Sequence, residues 1–132
     1  MTIYAYDDRK GLKMLEEALR SLFGEKLDFH GFYGTAEFLQ AAKKQPYDIA
    51  FADVDFNGKS GMLLIGELNK RYPRSNFIGV TNSGSVLMAL MLHQIHASDY
   101  LIKPYDTEQL LESFAQLRYP LAETRALCAE AR

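Results

Sequence analysis

The chain has 132 residues, 48% of them apolar and 24% charged, and a formal charge of −2. This length and balance predict one domain, large enough to bury a core without disulfides or a metal clip. The near-neutral charge excludes a strong electrostatic pull toward nucleic acid or a membrane surface. The opening "MTIYAYDDRKG" carries two acids by residue 8, so it does not read as a signal peptide. Within it, residues 2–6 are β-branched and aromatic, a strand signal that stops at Asp7-Asp8. Leu12, Leu15, Leu19 and Leu22 then recur at helical spacing, with Gly24 as the stop. "LDFHGF" (27–32) predicts a weaker strand, and Ala36, Leu39 and Ala42 a helix that ends before Pro46. "YDIAFA" (47–52) reads as a buried strand, and "GMLLIGELNKRY" (61–72) as a helix closed by Pro73. "NFIGV" (76–80) is a fourth apolar run. Residues 85–96 carry helical spacing in Val86, Leu87, Leu90 and Met91, positions suited to core or partner surface. "DYLI" (99–102) is the last strand candidate, and Asp106 with Gln109 marks the start of a final helix. Residues 119–132 predict a helical extension or a linker. The single cysteine, Cys128, fits a reducing compartment, and no window approaches the apolar length of a membrane span.

Strand and helix thus alternate five times. The pattern predicts an α/β fold of parallel βαβ units, and runs without clean alternation fit strands covered on both faces. Right-handed crossovers give a flavodoxin-like (βα)5 three-layer sandwich with sheet order 2-1-3-4-5. Ligands of such sheets bind beyond the carboxyl ends of the strands. The first strand ends in Asp7-Asp8, the third in Asp53, the fourth in Thr81 and the fifth in Lys103-Pro104. Four strands therefore bring three acids, a hydroxyl and an ammonium to one edge. Each residue alone has an ordinary reading. Asp7 or Asp8 suits a helix cap, Asp53 and Thr81 suit turns, Lys103 suits a solvated strand end, and Tyr100 suits strand filler. "DVDFNG" (53–58) also begins like an EF-hand loop. Its twelfth position is Leu64 rather than Glu, and a strand precedes it, which removes the calcium reading.

The stretches "YAYDDRK", "YDIAFADVDFNGKSG", "FIGVTNS" and "ASDYLIKPYD" resemble, in order and spacing, the receiver domain of bacterial two-component response regulators. The resemblance covers residues 2–118 and sets a domain at 1–118, with 119–132 as a C-terminal helical extension or a linker to an output domain absent from this chain. It implies Asp53 as the phosphoacceptor, charged by a sensor histidine kinase. It implies Mg²⁺ held by Asp8, Asp53 and the Asp55 main-chain carbonyl, with Asp7 acting through a water. Lys103 would pair with the phosphoryl group, Thr81 would donate to it, and Thr81 and Tyr100 would form the switch. The Lys103-Pro104 bond is a cis-peptide candidate. The family would act through self-catalysed phosphotransfer and autodephosphorylation rather than as a conventional enzyme. Its output face would be residues 85–118, which is also where a homodimer would form. A fused DNA-binding domain and control of transcription are the implied output, in the cytoplasm, without membrane contact or direct nucleic-acid binding by this domain.

Four positions depart from the family pattern: Asp55, Asn57 where proline is common, Asn82 where Ala or Gly is common, and His96 where glycine is frequent. Asp55 would perturb the metal site or repel the phosphoryl group, Asn57 would loosen the loop, and Asn82 would narrow access to Asp53. Two rival readings fit parts of this pattern. A receiver-like docking module that is never phosphorylated would have no need of the acid set and Lys103. A haloacid-dehalogenase-type phosphatase would place D-x-D at Asp53, but would also need a late acidic motif, and the acid pair lies upstream at Asp7-Asp8.

Overall fold

Ile3 and Ala5 face one side of the first strand and Tyr4 and Tyr6 the other, and this alternation divides the interior into two cores. The computed structural model describes residues 1–130. Its elements are β1 (Thr2–Tyr6), α1 (Arg9–Phe23), a 3-10 turn (Gly24–Lys26), β2 (Asp28–Phe32), α2 (Thr35–Lys44), β3 (Ile49–Asp53), α3 (Ser60–Arg71), β4 (Asn76–Thr81), α4 (Val86–Gln94), β5 (Asp99–Ile102), α5 (Thr107–Ala115) and α6 (Ala122–Glu130). Every strand pairing is parallel, and the sheet order is β2-β1-β3-β4-β5. This is the flavodoxin-like order expected.

On one face, Leu12, Leu15 and Leu19 of α1 and Leu110 and Phe114 of α5 pack on Ile3, Phe51 and Val80. On the other, Phe38 of α2, Leu64 and Leu68 of α3 and Leu92 of α4 pack on Tyr4, Ala50 and Phe77. Every residue of β3 and β4 is buried, which explains why their sequences run apolar without alternation. Asp106 and Gln109 form a reciprocal capping box at the start of α5, as their spacing predicts.

Two helices seat residues on the sheet that their spacing alone does not single out. In α2 the buried pair is Phe38 and Ala42, while Ala36 is exposed. The large aromatic one turn before Ala42 takes the core position, and a small alanine does not compete for it. In α4 the apolar set suited to core or partner surface takes the second course and lies largely outside. Val86 is 77% exposed, Leu87 67% and Leu90 54%, and only Leu92 is fully buried. The helix is apolar nearly all round, so its spacing did not reveal which side faces the sheet.

The segment after α5 forms its own helix. Leu121, Leu127 and Cys128 pack against the α1–α5 core. Buried Asn76 accepts the Tyr119 N–H at 2.9 Å and donates to the Tyr119 carbonyl at 2.9 Å. One side chain thus satisfies both backbone groups where the chain turns from α5 toward α6. Among the described residues no helix is long and apolar enough to cross a membrane.

Candidate functional site

Parallel pairing in one register brings the ends of β1, β3, β4 and β5 to the same edge. Asp53 is the last residue of β3, and Asp7 follows β1 directly. Both are buried, with side chains 4% and 5% exposed. Lys103 reaches them from the end of β5, its Nζ lying 2.9 Å from Asp7 Oδ2 and 2.5 Å from Asp53 Oδ2. The other Asp53 oxygen, Oδ1, accepts the N–H groups of Asp55 at 2.7 Å and Phe56 at 3.1 Å. These bonds fix the carboxylate plane and leave Oδ2 to the lysine. Asp8 is the N-cap of α1, its Oδ1 accepting the Gly11 N–H at 2.7 Å. A Cβ on Gly11 would stand 2.1 Å from Asp7 Oδ2, so only glycine lets the Asp7 carboxylate lie against the first turn of α1. The Lys103–Pro104 peptide is cis.

The two buried acids titrate apart. Burial pushes the Asp7 carboxyl up to about 6, helped by Asp53 beside it and opposed by the Lys103 hydrogen bond. Burial also works to raise Asp53, but Lys103 and the Asp55 N–H outweigh it and hold that carboxyl below the usual range. Burial works to lower Lys103, but its bonds to Asp53 and Asp7 prevail and raise it, so it stays an ammonium. Burial raises the nearby Tyr105 phenol to about 12, keeping it neutral.

A pH dependence follows for metal-free protein. Between the ordinary Asp value of 3.8 and about 6, the folded state keeps the Asp7 proton that the unfolded chain has lost. Stability from this group therefore falls as pH rises through that window, and the cost is complete above it. Asp53, shifted the other way, stabilises the fold above its unfolded value and loses that contribution as pH falls through its folded value. Asp7→Asn is expected to be more stable than wild type by about 1–2 kcal/mol at pH 7.5, with the gain vanishing near pH 4. Denaturant unfolding at stepped pH measures this. A difference that stays constant across the series would contradict it.

Thr81 ends β4 and is fully buried. Its hydroxyl donates to Asp55 Oδ2 at 2.9 Å rather than to Asp53. Tyr100 sits back on β5, half-buried against the α2–α3–α4 core and apart from the acids. Asn57 takes φ 56 and Gly58 φ 67, so the loop after β3 uses a left-handed turn that proline at 57 could not enter. His96 likewise takes φ 64, where a glycine would be at ease.

A cavity of about 560 Å³ opens over this edge, lined by Asp8, Asp53, Asp55, Asn82, Lys103 and Tyr105 among others. Among the described residues, no three His, Cys, Asp or Glu side chains converge into a metal cage. Asp8 is engaged as a cap, and Asp7 and Asp53 share the lysine. The polar donors at the cavity are nevertheless hard oxygens at an open rim. Such a set fits Mg²⁺, which binds through one or two carboxylates and completes its shell with water. Gly11 is a participant that the sequence analysis does not single out, and the Asp55 carboxylate, expected there to perturb the metal site or repel the phosphoryl group, here accepts the Thr81 hydroxyl and the Asn82 N–H. The signal for Gly11 was a glycine inside the first turn of a helix that follows an acid pair.

The family model for the response regulator receiver domain matches residues 4–115. The DNA-binding transcriptional regulator NtrC of Escherichia coli (strain K12) is 28% identical over 107 residues, 81% of this chain and 22% of that protein. The response regulator protein PilR of Pseudomonas aeruginosa is 29% identical over 120 residues, 89% of this chain and 26% of that protein. The chain thus spans only about a quarter of the length of these regulators. Among solved structures, the response regulator protein TrrA of Thermotoga maritima in complex with Mg²⁺-BeF superposes with a TM-score of 0.71 at 21% identity, covering 87% of this chain and 96% of that one.

Proposed function

From the premise that this chain belongs to the response regulator receiver domain family, we propose that Asp53 is its phosphoacceptor and a sensor histidine kinase its donor. The observation that carries this reading is Lys103 Nζ bridging two buried carboxylates, Asp7 and Asp53, at the carboxyl edge of the sheet. An Asp53 oxygen attacks the phosphorus of a phosphohistidine. The new O–P bond forms as the P–N bond breaks, and the electron pair returns to the imidazole. Water later cleaves the acyl phosphate and restores the carboxylate with release of inorganic phosphate.

A carboxylate is a weak nucleophile, so the chain contributes position and charge. The Asp55 and Phe56 N–H groups orient Asp53. Lys103 neutralises charge that accumulates on the transferring group. Asp8, Asp53 and the Asp55 main-chain carbonyl would hold Mg²⁺, with Asp7 joining through a water. Bound there, the ion offsets the repulsion between the acids and the incoming phosphoryl oxygens.

The output rests on the same reading. Thr81 donates to the phosphoryl group once it is in place, and Tyr100 follows as the second switch residue. The change is read out on residues 85–118, whose Val86, Leu87 and Leu90 are already exposed for a partner or a second copy. As suits a relative of the transcriptional regulator NtrC, the output is control of transcription, exerted from the cytoplasm. Intact mass after incubation with acetyl phosphate and Mg²⁺ tests the phosphoacceptor. One added phosphoryl group is expected on wild type and none on Asp53→Asn or without Mg²⁺. An equal gain on Asp53→Asn would sink the assignment.

A further inference from the structure

Asp55 stands two residues past Asp53, and its side chain bonds across the edge of the sheet. Its Oδ2 accepts the Thr81 hydroxyl at 2.9 Å and the Asn82 backbone N–H at 2.5 Å. The Thr81 oxygen in turn accepts the Ser83 N–H at 3.0 Å, which holds the hydroxyl in place. A hydroxyl has one proton to donate and a backbone amide has one. In this state both are committed to Asp55. Thr81 is fully buried, so it has no water to turn to, whereas Asp55 is exposed and meets water as soon as it is displaced.

We propose that the Asp55 carboxylate is a competing acceptor that retains the donors of Thr81 and Asn82, and that phosphorylation must displace it before Thr81 can turn to the phosphoryl group. The proposal rests on Asp53 as phosphoacceptor and adds a positioning residue that acts through Thr81. Bonds to a carboxylate are stronger than those to a neutral acceptor, so the contact favours the unphosphorylated arrangement. Asp55 therefore sets how readily the switched state forms. Its charge beside a phosphoryl dianion acts in the same direction, and two substitutions separate the effects. Asp55→Asn keeps an acceptor oxygen of similar size and removes the charge. Asp55→Ala removes both.

Beryllofluoride with Mg²⁺, titrated by NMR and by intrinsic fluorescence, reads the consequence. Metal-free spectra of the Asn82 amide read the contact itself, and thermal unfolding checks that both variants fold. Asp55→Ala is expected to bind beryllofluoride about tenfold more tightly than wild type, with Asp55→Asn between them. In metal-free protein, Asp55→Ala is expected to move the Asn82 amide proton upfield and to speed its hydrogen exchange. An unmoved Asn82 amide would overturn the proposal. Equal tightening in both variants would also overturn it, because charge repulsion alone would then suffice. If wild type takes up no beryllofluoride, the phosphoacceptor reading fails, and the Asn82 amide alone decides the Asp55 contact.

Discussion

Lys103→Ala is expected to cut phosphoryl uptake at Asp53 by about a hundredfold or more, the size of effect seen when one pre-positioned donor is removed from a reacting oxygen. It is also expected to destabilise the fold by about 3 kcal/mol at pH 7.5, because removing one partner of a buried pair leaves charge without compensation. Both effects follow from one atom. Lys103 Nζ is the cation between two carboxylates that are each about 95% buried. Without it, Asp7 and Asp53 repel, and one of them takes up a proton. The folded-state pKa of the pair then rises. Its penalty must therefore grow as pH increases and shrink toward pH 4, where the unfolded chain also becomes protonated. Mg²⁺ is expected to stabilise Lys103→Ala more than wild type, since the ion supplies the missing positive charge. Denaturant unfolding at stepped pH, with Mg²⁺ and with chelator, measures the loss, its pH dependence and the metal effect, and intact mass over time with acetyl phosphate measures the uptake. A pH-independent loss would instead assign the cost to packing of the lysine stem.

The edge of the sheet was legible because its chemistry is written at the ends of apolar runs. Asp7, Asp53, Thr81 and Lys103 each follow a stretch whose burial is encoded locally, and parallel topology does the rest. What was not legible is contact between side chains from different loops. Asp55 read as an intruding charge beside a phosphoaspartate. Its partners, Thr81 and Asn82, lie 26 and 27 residues further on, and no local pattern announces such a bond. The outward face of α4 was hidden for another reason. With apolar residues at 86–92 on all sides, periodicity has no contrast to report, and only the packing of Leu92 shows which side is inside. Gly61, which serves by having no side chain, was equally silent.

Gly61 carries the sharpest case of that silence. Gly61→Ala is expected to destabilise the fold by about 3 kcal/mol or more and to slow phosphoryl uptake, although it adds one methyl to a helix. The added Cβ would stand 2.1 Å from the carbonyl oxygen of Asp53, 2.8 Å from its carbonyl carbon and 2.9 Å from Cα of Val54. All three are backbone atoms at the end of a central strand, so no side chain can swing aside. Either α3 moves off the sheet, exposing Leu64 and Leu68, or the end of β3 moves and carries the phosphoacceptor with it. Gly66, five residues further along the same helix, is the control. A Cβ there meets nothing within 4 Å, so Gly66→Ala is expected to stabilise the protein by about 0.5–1 kcal/mol through helix propensity. The same substitution on the same helix thus takes opposite signs according to what stands over each Cα. Thermal and denaturant unfolding of the two variants decide it. A Gly61→Ala protein as stable as wild type would mean that α3 is not seated on the end of β3, and that Asp53 is positioned by something else.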